Sequence, residues 1–211
     1  ASDVYKRQAE AYSDKAAKQM RLVELLSVVD MLILFLLIIE QSLSSMRIIR
    51  KNRILEQKAY IDVHTGLPNK SKCEELFSDM SFITEPTACL MFDLNNLKSA
   101  NDTLGHSAGD QLIASFARVL RNVIPAKDFV GRYGGDEFVV ILYNITENTV
   151  NGLLTQLHNE VMQFNRGGNN IPISYAQGWA VSTDYTDCTL RTLFDKADHF
   201  MYTNKVRVKS E

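Results

Sequence analysis

The chain of 211 residues is poor in cysteine, proline and tryptophan, with three, four and one respectively, and carries no excess of basic charge. Each shortage excludes something. Cys73, Cys89 and Cys188 form no CxxC pair and have no histidine at metal-ligand spacing, so neither a zinc module nor a disulfide scaffold fits. They read as reduced, structural thiols of a cytoplasmic compartment. A formal net charge of −2 leaves no long-range basic field to recruit nucleic acid by counterion release. A single nucleotide ligand remains possible, because it needs only local charges. The length accommodates one ordinary domain with a buried core and a short appendage, but not two large domains.

Long apolar runs are also scarce, with one exception. From Leu22 to Ile39 the sequence holds fourteen Leu, Ile, Val or Phe residues, interrupted by Glu24, Ser27 and Asp30. At roughly −0.3 to −0.6 kcal/mol each, these residues outweigh a central Asp at roughly +3 kcal/mol, so membrane insertion is favoured by a few kcal/mol. Residues 22–45 are therefore expected to be a transmembrane helix, the alternative being the dimerisation helix of a soluble coiled coil. Arg47, Arg50, Lys51 and Arg53 follow closely, whereas the preceding flank, residues 9–21, mixes acids with bases. The positive-inside rule places the C-terminal side in the cytoplasm and the chain in the inner membrane. Residues 46–60 lack Gly and Pro and continue as a juxtamembrane helix. Ala1 to Gln8 has neither an apolar core nor a cleavage signature and reads as neither a signal peptide nor a helix start. Back-translated codon by codon, that octapeptide can spell a common sequencing-library adapter. It is expected to be an assembly artefact, with further natural chain upstream.

Gly66 and Pro68 mark the next break. Beyond it, over residues 61–211, strand and helix patterns alternate: an apolar run Ala88–Leu94, a helix 108–123, strands 129–133 and 138–143, a helix 150–164, a strand 171–181 and a helix 190–204. The class is α/β or α+β, with helices packed against a central mixed sheet. Arg132-Tyr133-Gly134-Gly135-Asp136-Glu137-Phe138 lies between two strand patterns and reads as a hairpin turn flanked by carboxylates. Taken alone it would be a solvated turn. A further acid, Asp93, follows directly on the apolar run Cys89-Leu90-Met91-Phe92. If the two strands are neighbours about 4.8 Å apart, carboxylates converging there raise one another's pKa unless a cation intervenes. Magnesium accepts such a site, taking one or two carboxylates with water and substrate phosphates.

The polar segment Leu94-Asn95-Asn96-Leu97-Lys98-Ser99-Ala100-Asn101-Asp102-Thr103-Leu104-Gly105-His106-Ser107-Ala108-Gly109-Asp110 is long for a plain connector. With Gly-Gly-Asp-Glu-Phe, the opening motif Asp62-Val63-His64-Thr65-Gly66-Leu67-Pro68-Asn69 and the closing Ala197-Asp198-His199-Phe200-Met201-Tyr202-Thr203-Asn204-Lys205, it resembles the GGDEF family of diguanylate cyclases over roughly residues 60 to 209. The resemblance implies a palm-like nucleotidyl cyclase domain that condenses two GTP into cyclic di-GMP and two pyrophosphates. Catalysis would rest on Asp93, Glu137, Asp136 and Lys98. Two magnesium ions, with manganese as a substitute, would be held by Asp93, the Leu94 carbonyl and Glu137. Asn96, Leu97, Lys98, Lys205 and Lys209 would contact the phosphates, Gly134 and Gly135 would belong to the substrate-binding set, and Asn101 and Asp110 would read guanine, since their oxygens can accept its N–H donors. One GTP per domain requires a symmetric homodimer for ring closure.

Blander readings stand beside these. Asp62 and Asn69 read as helix caps, His106 as a packed, hydrogen-bonded residue, Arg132 as a structural ion-pair partner, and Lys98 and Lys205, on composition alone, as solvated lysines. The chain departs from the family pattern at Asn95 and Leu97, where Asp and Phe are frequent, and at Lys209, where Arg is. Its Pro125-Ala126-Lys127-Asp128 stands where many members carry the inhibitory Arg-x-x-Asp product site, so product inhibition is expected to be weak. The competing functions are a degenerate domain that binds GTP or cyclic di-GMP without turnover, and a membrane-linked dimerisation domain.

Overall fold

The computed structural model describes the backbone of residues 2–145, 147–168 and 171–210, with side chains of that set except 2–11, 53, 57, 58 and 207–210. The chain divides into two compact units, residues 1–55 and 56–211.

The first unit is a helix. α1 (Ser2–Tyr60) is continuous and runs on into the second unit. It begins within the octapeptide where no helix start was expected. Every apolar residue from Leu22 to Ile39 is exposed. The segment Tyr12–Glu56 is long and apolar enough to cross a membrane, with a mean hydropathy of 2.8 over its most apolar window.

The second unit contains α2 (Lys70–Phe77), β1 (Thr87–Leu94), α3 (Leu97–Leu104), α4 (His106–Val123), β2 (Phe129–Arg132), β3 (Glu137–Tyr143), α5 (Glu147–Arg166), β4 (Tyr175–Val181) and α6 (Leu190–Ser210). The strands form one sheet in the order β2-β3-β1-β4. Every pairing is antiparallel, so the expected mixed sheet is corrected. Strands of like direction do occur, β1 with β2 and β3 with β4, but the order separates each pair by an opposed strand. The connectivity is the split βαβ arrangement, β1-helices-β2-β3-helix-β4.

β1 is buried along its whole length, and its alternating side chains feed two cores. Leu90 and Phe92 face α4 and α5, where Phe116 packs edge-on against Phe92 and Phe138. Cys89 and Met91 face α2 and α6, meeting Phe77, Ala197 and Met201. The three cysteines are free and buried, as structural thiols should be. A Cβ on Gly178 of β4 would collide with the α6 backbone at Ala197 and Met201, so that glycine sets how closely α6 lies on the sheet.

Two local expectations are corrected. Residues 171–174 do not join the ladder: the Ile173 N–H and carbonyl are engaged by the Asn165 side chain and the Ser174 carbonyl by the Asn95 N–H, so β4 begins at Tyr175. Residues 97–104, in the polar segment to which the sequence patterns assigned no element, form α3. Asn69 does cap α2, accepting from Lys72 N at 3.2 Å. Asp62 caps no helix; its carboxylate closes the loop that follows it and pairs with Arg132.

Candidate active site

The sheet register places Asp93, near the end of β1, directly opposite Glu137, the first residue of β3. The Asp93 side chain is only 7% exposed. Its Oδ2 meets Lys205 Nζ of α6 at 2.5 Å, and its buried Oδ1 has no partner. Burial raises the Glu137 pKa above the usual carboxylate range. Asp136, Asp198 and Asp93 add to that rise, and Lys205 opposes it. Asp198 is likewise raised, by burial and by Asp195 and Asp93. The structure thus gathers an acidic cluster around one lysine.

The hairpin that carries Asp136 and Glu137 is fixed from several sides. Tyr133 and Gly134 donate their N–H groups to the Glu137 carbonyl, and the Asp136 carbonyl accepts from Leu94 N at 2.9 Å. Arg132 holds the Gly135 carbonyl at 2.8 Å while pairing with Asp62 at 2.9 Å, so its expected ion pair is present. A Cβ at Gly134 would strike the Glu137 carboxylate, so the first glycine of the turn gives that side chain its room.

After β1, Asn96 adopts the left-handed conformation at φ 63° and starts α3, which no side chain caps. The first N–H groups of α3 therefore remain for a ligand, and the helix dipole favours an anion there. Lys98 is exposed beside them, while the Leu97 side chain packs against the core. An open cleft of about 1440 Å³ brings together Leu94, Asn96, Leu97, Lys98, Asp136 and Lys205.

Asn101 and Asp110 both lie outside this lining. The Asn101 amide lies against Gly109, and its buried Oδ1 has no partner. Asp110 is half exposed beside His64. Gly134, Gly135 and Glu137 border the acidic cluster but not the cleft. The Lys209 side chain lies outside the described residues. His106 is exposed at the first residue of α4, which corrects the reading of it as packed.

Sequence reasoning did not single out Asp198, Gln177 or Asn204. Asp198 stands seven residues before Lys205, two helical turns on the same face, and that spacing could have found it. Gln177 has a buried, unpartnered Oε1, and its carbonyl accepts from Asn204 Nδ2 at 3.0 Å. The sheet register places Gln177 opposite Phe92, and the bond from α6 brings Asn204 to it.

The residues present fit a small divalent cation. Hard carboxylate oxygens converge, and a buried Asp93 oxygen is left without a partner. Among the described residues no group of three or more His, Cys, Asp or Glu side chains could hold a metal alone. That suits an ion completed by water and substrate phosphates rather than by an all-protein cage.

Comparison with known proteins identifies the family. The family described as "Diguanylate cyclase, GGDEF domain" matches residues 59–211, and the chain belongs to it. Signaling protein YkoW of Bacillus subtilis is 33% identical over 191 residues, which are 82% of this chain and 23% of that protein. A diguanylate cyclase of Vibrio cholerae is 26% identical over 155 residues, 72% of this chain and 48% of its own length. The chain thus spans about a quarter to a half of these two relatives. The crystal structure of the GGDEF domain of DgcB from Caulobacter crescentus, in complex with c-di-GMP, superimposes with a TM-score of 0.61 at 26% identity, covering 71% of this chain and 91% of that one.

Proposed function

We propose that this chain is a membrane-anchored diguanylate cyclase, its catalytic domain in the cytoplasm, that condenses two GTP into cyclic di-GMP and two pyrophosphates. The observation that carries this reading is the opposed Asp93–Glu137 pair with its unpartnered buried oxygen, set beside the uncapped start of α3. In each half-reaction the 3′-oxygen of one GTP forms a bond to the α-phosphorus of the other as the bond to the β-phosphate oxygen breaks. The hydroxyl proton and pyrophosphate leave, and repetition in the opposite sense closes the ring.

Asp93, Glu137 and the Leu94 carbonyl would hold two divalent ions, magnesium or manganese, which when bound lower the hydroxyl pKa and neutralise the leaving phosphates. The chain's own part is to bind and orient. The α3 N–H groups with Lys98 take phosphate oxygens, and Lys205 exchanges Asp93 for the terminal phosphates. Asn101 and Asp110 accept from guanine, whose ring N–H adenine lacks. Gly134 keeps the approach to Glu137 open. Because each domain offers one nucleotide site, the active species is a homodimer with two sites face to face.

The test is to incubate the full chain in detergent micelles with GTP and magnesium and to resolve products by chromatography. Cyclic di-GMP should form in wild type and disappear in Asp93→Ala and Glu137→Ala. Full activity in either variant would break the assignment, whereas nucleotide binding without product would leave a binding module in its place.

A further inference from the structure

The loop that opens the second unit is closed on itself. Asp62 Oδ1 accepts from the Thr65 N–H at 2.9 Å and from its hydroxyl at 2.7 Å, and Thr65 Oγ1 accepts from Leu67 N at 3.2 Å. Two backbone bonds, Asp62 N to the Leu67 carbonyl and Gly66 N to the Asp62 carbonyl, both at 2.8 Å, complete it. Gly66 supplies the turn at φ 65°, and its carbonyl is gripped by Arg121 of α4. Asp62 Oδ2 ties the same loop to Arg132, which holds the signature hairpin.

At the tip of this loop stands His64, whose Nδ1 lies 3.6 Å from Asp110 Oδ1. That is slightly longer than a hydrogen bond. Contacts of this kind in ligand-free sites commonly tighten when substrate arrives. We propose that His64 is a positioning residue for Asp110, holding one carboxylate oxygen so that the other faces the N–H donors of a guanine. The inference rests on the reading of Asp110 as a guanine acceptor. A carboxylate has about four acceptor positions, so engaging one with an imidazole N–H leaves enough for the base. Without His64, the half-exposed Asp110 side chain is free to turn toward solvent and must be ordered by the nucleotide itself.

The consequence is a difference in base preference rather than in chemistry. Inosine triphosphate lacks the 2-amino donor of guanine, so the ratio of GTP to ITP affinity reads how well Asp110 is aimed. In the full chain this ratio is measured by equilibrium displacement of a fluorescent GTP analogue, which needs no turnover. His64→Leu should lower the preference for GTP roughly two- to five-fold, the range of exposed charged contacts. It should raise the GTP KM by a similar factor and leave kcat unchanged. His64→Asn, whose amide N–H can stand close to the position of Nδ1, should restore most of the preference. An unchanged ratio in His64→Leu, or a His64→Asn variant no better than His64→Leu, overturns the proposal. Asp110→Ala separates the two layers. If it leaves the ratio intact, guanine reading by Asp110 is wrong and the role of His64 falls with it. If it lowers the ratio while His64→Leu does not, only the His64 role is lost.

Discussion

Replacing Lys205 with methionine keeps the length and packing of the side chain but removes the one cation that the described residues place within the acidic cluster. Asp93 would then keep a carboxylate that is only 7% exposed, with neither oxygen paired. Removing one partner from a buried ion pair costs roughly 3 to 5 kcal/mol. Lys205 itself is 25% exposed, which weakens the pair through solvent screening, so a cost of about 2 to 3 kcal/mol is expected. For a unit of this size that lowers Tm by about 4 to 12 °C. Differential scanning calorimetry of the full chain in micelles measures it, with and without millimolar magnesium. A divalent ion that takes the place of the ammonium stabilises by mass action, and more so where nothing competes for Asp93. Magnesium should therefore recover most of the loss in Lys205→Met while raising the wild-type Tm much less. Equal Tm values without metal, or equal magnesium increments in the two proteins, would refute the view that Lys205 holds the position of the ion.

Three further expectations follow from individual groups. Glu137 is held with its pKa raised, so its ionised form costs stability above the unfolded pKa and that cost is relieved as pH falls. Glu137→Gln should accordingly raise Tm at neutral pH in metal-free buffer while lowering cyclase turnover by about a hundred-fold or more; a variant less stable than wild type would contradict this. For Asp62, burial pushes the pKa up, but bonds from the Thr65 hydroxyl and amide and from Arg132 outweigh it, and the net shift is downward. Its contribution is complete above the unfolded value of about 4 and is lost as pH falls through the folded one, so Asp62→Asn should lower Tm by a constant amount at neutral and alkaline pH and flatten the acid limb of a Tm-against-pH curve without changing the slope of the alkaline limb. Cyclic di-GMP should inhibit turnover weakly, because Pro125 brings no guanidinium and Asp128 Oδ1 already accepts from Tyr143 N at 3.0 Å; strong noncompetitive inhibition in a product titration would count against it.

What could be read from the sequence was whatever local pattern controls. The apolar run before Asp93 and the run after Glu137 had strand character without any knowledge of partners, and the acids at their ends announced a convergence that the register Asp93↔Glu137 supplies. Asn69 read correctly as a cap because capping is decided within four residues. Long-range choices were not legible. The start of β4 depends on Asn165 and Asn95 taking the hydrogen-bonding groups of residues 173 and 174, and no periodicity shows that. The antiparallel order depends on which strands are neighbours, which is settled by packing over both faces of β1. α3 was missed because five of its eight residues are polar and its apolar positions, Leu97, Ala100 and Leu104, span only two turns; it packs on α4.

The same distinction explains why Lys205 read in sequence as a phosphate contact yet stands in the structure on Asp93. A motif records which residues meet substrate, whereas the structure without ligand must neutralise its own buried charge. Four acids, Asp93, Asp136, Glu137 and Asp198, lie close enough to influence one another here, and burial with mutual repulsion raises the pKa values of Glu137 and Asp198 although the Lys205 ammonium lies among them. An unbalanced cluster of this kind costs folding stability. Its retention makes physical sense where cations arriving with a triphosphate complete the neutralisation and release the lysine to the phosphates. Binding of ion and nucleotide should then be mutually reinforcing, since each favours the arrangement in which Lys205 has left Asp93. Mutual strengthening of magnesium and GTP affinity in wild type, reduced in Lys205→Met, is the coupling this arrangement requires.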